Sequence, residues 1–204
     1  YENGNIKEEV NYKNDKMNGE AKSYDENGKL NGRTIFKDDI KLEEDVYKEN
    51  EILKNTFKNG ELVKQDICTP NGTLKERRIL NGDEMEYSTF YQNGNVKQKS
   101  FVMGGTLNGD AFEYYPSGEL KYKSFFKDGK KEGESLSYYE NGKLKKKILY
   151  KNGVRNGEAA EYYESGIIKQ KAYFINDKLE KENLYYDEKG NLTKTEIYKN
   201  GIKQ

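Results

Sequence analysis

Apolar residues in this chain recur in short, evenly spaced runs separated by turn-forming dipeptides. The closing residue of the first turn in each run gives a marker: Gly4, Gly28, Asn50, Gly72, Gly94, Gly118, Gly142, Gly166 and Gly190. The intervals between markers are 24, 22, 22, 22, 24, 24, 24 and 24 residues. Two residues after every marker stands an aliphatic side chain: Ile6, Leu30, Ile52, Leu74, Val96, Leu120, Leu144, Ile168 and Leu192. Four residues before it the column is mostly aromatic, as at Phe90, Tyr114, Tyr138, Tyr162 and Tyr186. Positions seven and eight after it are also largely apolar, as at Phe125-Phe126, Leu149-Tyr150 and Tyr173-Phe174. A second turn signal follows at Asn59-Gly60, Asn81-Gly82, Asp128-Gly129, Asn152-Gly153 and Asn200-Gly201. Such dipeptides supply the positive φ of tight hairpin turns. Each repeat therefore reads as strand, turn, strand, turn, and the chain as about nine β-hairpins.

Side chains alternate along a strand, so positions +2 and +8 are expected on one face and +7 on the other. The apolar columns then occupy both faces. This suits an all-β array of tandem hairpins forming one elongated antiparallel meander sheet better than a two-layer sandwich. Its stability would come from cross-strand pairs between neighbouring repeats. The 22-residue copies shorten the second connection by two residues, as in the copy with Asn81-Gly82-Asp83-Glu84 against the longer one that begins Asn152-Gly153. A two-residue loss keeps every later side chain on its face. No linker composition interrupts the repeat, so residues 1–204 read as a single array, truncated at both ends.

Composition refines this picture. Leu, Ile, Val and Phe total only 40 of 204 residues, which suits a fold with a thin core. The 36 basic and 36 acidic residues cancel, and 18 tyrosines argue against disorder. Zero net charge removes the electrostatic case for nucleic acid or an anionic membrane. The run Lys143, Lys145, Lys146, Lys147 reads as a solvated strand face. No apolar stretch is long enough to make a transmembrane helix. Cys68 is alone, which excludes an internal disulfide framework.

Chemistry is sparse. With no histidine, neither Ser/His/Asp nor Cys/His catalysis can be assembled, and the usual zinc sites are out of reach. Glu134 and Glu158 follow the same glycine in successive copies, which marks them as turn and strand-edge residues rather than a catalytic pair. Gly104-Gly105 precedes no helix, so it forms no phosphate loop. No cofactor is expected, and the chain reads as non-catalytic. The candidate binding face is the tyrosine column three residues before the marker: Tyr91, Tyr115, Tyr139 and Tyr163. Tyrosine is rigid, amphipathic and frequent at interfaces. Exposed, this row would form a ladder for a protein or a glycan; the competing reading is that it braces the sheet.

The segments Tyr139-Glu140-Asn141-Gly142-Lys143-Leu144-Lys145, Tyr150-Lys151-Asn152-Gly153 and Asn156-Gly157-Glu158 resemble the MORN-repeat-variant family. So do Tyr115 to Lys121, Lys127-Asp128-Gly129 and Gly133-Glu134, and the likeness extends over essentially the whole chain. Residues 28–93 depart from it by lacking the closing Gly-Glu. The resemblance implies a hairpin array that binds proteins or lipids, in a family whose bacterial members include envelope proteins and antitoxins. The expected function is protein–protein binding, in the cell envelope or secreted. An intracellular neutraliser of a partner protein and a glycan-binding module are the alternatives. Aromatic-glycine repeats of cell-wall-binding regions are the nearest rival family, and the absence of Trp counts against them.

Overall fold

The computed structural model describes all residues, 1–204, and contains no helix. Contacts divide the chain into two units, Tyr1–Gly94 and Asn95–Gln204. Unit 1 holds β1 (Glu8–Lys13), β2 (Lys16–Tyr24), β3 (Leu30–Lys37), β4 (Ile40–Tyr47), β5 (Ile52–Lys58), β6 (Glu61–Cys68), β7 (Leu74–Asn81) and β8 (Glu84–Phe90). Unit 2 holds β9 (Val96–Met103), β10 (Thr106–Tyr114), β11 (Leu120–Lys127), β12 (Lys130–Tyr138) and β13 (Leu144–Lys151). It continues with β14 (Val154–Tyr162), β15 (Ile168–Ile175), β16 (Lys178–Tyr186), β17 (Leu192–Lys199) and the short β18 (Ile202–Lys203). Within each unit every strand pairs antiparallel with the next in sequence, so both are meanders, and the expected all-β hairpin array is what the chain forms.

Two kinds of turn alternate. The second turns are two-residue loops with positive φ at both positions, as at Asn152-Gly153 (52° and 88°) and Asp128-Gly129 (49° and 75°). That mirror-image turn matches the strand twist. Gly104-Gly105 is another of these, joining β9 to β10. One position moves: Asn81 pairs with Glu84, so the loop there is Gly82-Asp83 and only Gly82 has positive φ. The marker turns are built differently. In a representative copy the Gly142 amide donates to the Tyr139 carbonyl at 2.9 Å, and the Tyr139 amide to the Lys143 carbonyl at 2.8 Å. Gly142 adopts a φ of 79°.

Past six of these turns, all closed by glycine, the register slips by one residue: Tyr138 faces Leu144, but Ser137 faces Lys146. The extra residue inverts the alternation. Position +2 therefore shares a face with +7, not with +8 as strict alternation predicts. Ile168 and Tyr173 line one depression, while Phe174 lines another on the opposite face. The apolar columns still divide between both faces. Few side chains are fully buried, and the hydrophobic ones are Ala21, Ile67 and Cys68. This is the thin core that the composition implies.

The length difference between repeats resides in the strand after the second turn and, around Asn50, in the marker turn, not in the second connection itself. In β13–β14, Tyr150 faces Arg155 and Ile148 faces Ala159, so β14 carries two residues more than its partner. The same bulge recurs between β1 and β2, β9 and β10, β11 and β12, and β15 and β16. In unit 1 the bulge shrinks to one residue in β3–β4 and β5–β6 and vanishes in β7–β8. Asn50, the one marker that is not glycine, closes a bulge-free hairpin in which Tyr47 faces Ile52 directly. Each single-residue change inverts facing, so Glu44 and Asn55 lie on the face opposite to that of their counterparts in other copies. Constant facing thus fails locally at this turn.

Candidate binding faces

The back face of unit 2 takes position +8 and the −3 tyrosines. The hydroxyls of Tyr115, Tyr139 and Tyr163 donate to the carbonyls of Tyr138, Tyr162 and Tyr186, at 2.8, 2.7 and 2.8 Å. Tyr1 makes the same bond to the Tyr24 carbonyl at 2.6 Å. Each bond reaches the following repeat. A lysine ammonium lies over each ring in unit 2: Lys121 over Tyr115, Lys145 over Tyr139 and Lys169 over Tyr163, at 5.9, 5.3 and 5.8 Å. Lys121 and Lys169 also bond Glu113 and Glu161, at 2.6 and 2.7 Å. The three tyrosines are half-buried, as is Tyr91 in the same column, which has contacts of its own.

Between these tyrosines and the +8 aromatics runs a buried row of small side chains. Ser124 and Ser135 share a hydrogen bond of 2.6 Å, and the Tyr122 hydroxyl donates to Ser135 at 3.3 Å. Burial raises the Tyr122 phenol, but its interactions with Lys131 and the two serines outweigh it and hold it below the usual range. At the end of the row Glu196 is 8% exposed and accepts from Lys194 and Lys203, both at 2.8 Å, and from Tyr198 and Tyr185, both at 3.1 Å. Those bonds, led by Lys194, hold its carboxyl at about 2.

The front face carries positions +2, +7 and −4, together with an acid at −8 and a lysine at +5. In two successive hairpins these charges pair: Asp110 with Lys123 at 3.5 Å, and Glu134 with Lys147. In the next hairpin Glu158 and Lys171 form no ion pair. There the surface sinks into a depression of about 680 Å³, floored by Ala160 and Leu184 and walled by Tyr162, Ile168, Tyr173 and Ile197. Lys181 also reaches it. The sequence columns contain these residues, but the pairs that open the depression involve register shifts and one departure from the repeat, Lys181 for glycine.

Unit 1 is organised by charge. On one face Glu44, Asn55, Gln65 and Arg78 form a continuous ladder, each joined to the next by a hydrogen bond of 3.0 Å. On the other, Arg77 grips Asp66 through two bonds of 2.7 and 2.9 Å, while Lys64 approaches to 3.1 Å. Burial resists ionisation of Asp66, yet these bonds together hold its carboxyl below the usual range. Burial pushes the Cys68 thiol up, which makes it a poor nucleophile.

No group of three or more His, Cys, Asp and Glu side chains is arranged to hold a metal ion. No helix is long and apolar enough to cross a membrane. What the geometry defines is a repeat scaffold: surface-rich hairpin meanders with an amphipathic front face. The model of the MORN repeat variant matches residues 1–14, 17–38, 83–102, 107–128, 131–152 and 155–176, more than half of the chain, and the protein belongs to that family. No curated protein sequence matches it. Among solved structures, a crystal structure of TarM aligns with 52% of this chain and 22% of its own, at 13% identity and a TM-score of 0.36. A TarM mutant from S. aureus, in complex with Fondaparinux, alpha-GlcNAc-glycerol and UDP, aligns with 56% of this chain and 19% of its own, at 11% identity and a TM-score of 0.22. The chain therefore spans about a fifth of the length of these proteins.

Proposed function

We propose that the chain is a non-catalytic repeat scaffold that binds another protein through the front face of unit 2, residues 1–204 acting as one array. The observation that carries this reading is the 680 Å³ depression, where apolar walls stand beside charges left unpaired by their own sheet. An apolar patch with a few convergent polar groups is the usual form of a recognition site. The −3 tyrosines use their hydroxyls internally, which favours bracing over a ladder and moves recognition to the opposite face. The proposed setting is the bacterial cell envelope, by family resemblance. Neutralisation of a partner inside the cell is the alternative, and fractionation of the native host separates the two. A photo-crosslinking residue at Tyr162 on the front and another at Tyr185 on the back test the face. Adducts with one protein from the front position alone are expected; equal labelling from both, or none from the front, would overturn the reading.

A further inference from the structure

The bulge after the second turn needs a residue with left-handed backbone. Four copies supply glycine: Gly19, Gly109, Gly133 and Gly157, with φ of 97°, 109°, 72° and 118°. The fifth supplies Lys181, at a φ of 64°. Left-handed backbone is unfavourable for a residue with a Cβ unless the side chain is Asn or Asp. A lysine held there is backbone strain at one defined place, and strain of this kind concentrates at functional sites. Its ammonium is set 3.8 Å from the Tyr173 ring centroid, at the wall of the 680 Å³ depression. Lys171 reaches the same depression without an ion pair, where its counterparts Lys123 and Lys147 are paired.

We infer that Lys171 and Lys181 form a carboxylate-binding site, and that its occupant is an extended protein segment in which an acidic residue is flanked by apolar ones. The carboxylate sits between the two ammonium groups, and its neighbours lie against Tyr162, Ile168 and Leu184. Charge complementarity selects this occupant. Two lysines without ion pairs call for an anion, while Glu158 and Glu182, which also line the depression, repel a polyanion and so disfavour nucleic acid or a phosphate polymer. The apolar walls need more than a free carboxylate. This inference rests on the front-face reading above and adds the chemistry of the partner to it.

Fluorescence anisotropy with a labelled, terminally blocked peptide of alternating Glu and Leu tests the site, beside versions with Gln or Lys in place of Glu. The Glu peptide should bind at least about tenfold tighter than either, the scale of one lost charge-assisted contact. Lys171→Gln and Lys181→Met should each weaken it about tenfold. Lys181→Gly should weaken it equally and raise the melting temperature by about 2–4 °C, because it relieves the backbone. A lysine that merely braced Tyr173 would instead lower the melting temperature on conversion to glycine. That result overturns the proposal, as does equal binding of the Gln peptide or equal competition by polyphosphate. Crosslinks from Tyr162 that persist unchanged in Lys181→Met would also overturn it while leaving the front-face reading intact.

Discussion

Units 1 and 2 repeat the same hairpin, yet they stabilise it in opposite ways. In unit 2 the long copies carry a two-residue bulge, closed mostly by a glycine, which at Gly109 and Gly157 packs against the +7 side chain. A Cβ on Gly157 would stand 3.0 Å from Leu149 Cδ1 and 3.2 Å from Leu149 Cβ. The bulge strengthens local twist, the back-face row is reduced to small residues such as Ser124 and Ala159, and the front face sinks. In unit 1 the short copies lose the bulge wholly or in part. Their central rows fill with long polar side chains, the Glu44–Asn55–Gln65–Arg78 ladder and the Asp66–Arg77 pair. Two residues per repeat thus decide whether a sheet this exposed is held by close packing or by side-chain bonds. The family match passes over residues 39–82, which hold the one-residue bulges of β3–β4 and β5–β6 and the bulge-free turn at Asn50.

Five substitutions can break or sharpen this contrast. Gly157→Val should cost most, since left-handed backbone costs about 1–2 kcal/mol and overpacking Leu149 adds about 1–3 kcal/mol. Gly60→Val in unit 1 meets open space and should show only the backbone part. Urea melts of both variants check the difference, and equal losses would erase the packing distinction. Leu144→Asp should cost about 2–4 kcal/mol by placing a charge in the aliphatic column, against little for the exposed Lys146→Asp. Comparable melting shifts for these two would show that the column is misassigned. In unit 1, Arg77→Met leaves Asp66 without its two-bond partner and should cost about 1–3 kcal/mol.

The smallest effect is acid sensitivity. Glu196 has its carboxyl depressed from 4.5 to about 2, and Asp66 and Glu44 are also lowered, Glu44 chiefly by its bond to Lys41. A carboxyl depressed by folding adds stability that is present above its unfolded value and is lost as pH falls through the folded one. Melting temperature should therefore hold above about pH 5 and fall between about 4.5 and 2. Glu196→Gln should flatten part of that fall, and an unchanged acid profile would remove Glu196 from the account.

Turn chemistry made the repeat legible, because Asn-Gly and Asp-Gly fix hairpins locally and their spacing alone fixes the strand count. Facing was only half legible. Side-chain parity assumes an unbroken ladder, and the one-residue slip between Tyr138 and Lys146 leaves no residue-type signature, since the residue inserted there is simply Lys145. The tyrosine column at Tyr91, Tyr115, Tyr139 and Tyr163 stood out because tyrosine is common at both interfaces and braces. Only hydroxyl geometry shows where those hydroxyls go. The depression went unseen for a different reason: it depends on a pair that fails to close at Glu158 and Lys171, and an unmade bond has no motif.

The tyrosine hydroxyl bonds also have a consequence for biosynthesis. Each joins a residue to a carbonyl 23 positions further on, and ladder partners within each unit are closer still. Contacts this local favour rapid folding and suit a chain that emerges from the ribosome one hairpin at a time. A newly exposed repeat needs only the next one to satisfy its tyrosine, so the meander can be laid down in the order of translation without waiting for a distant segment.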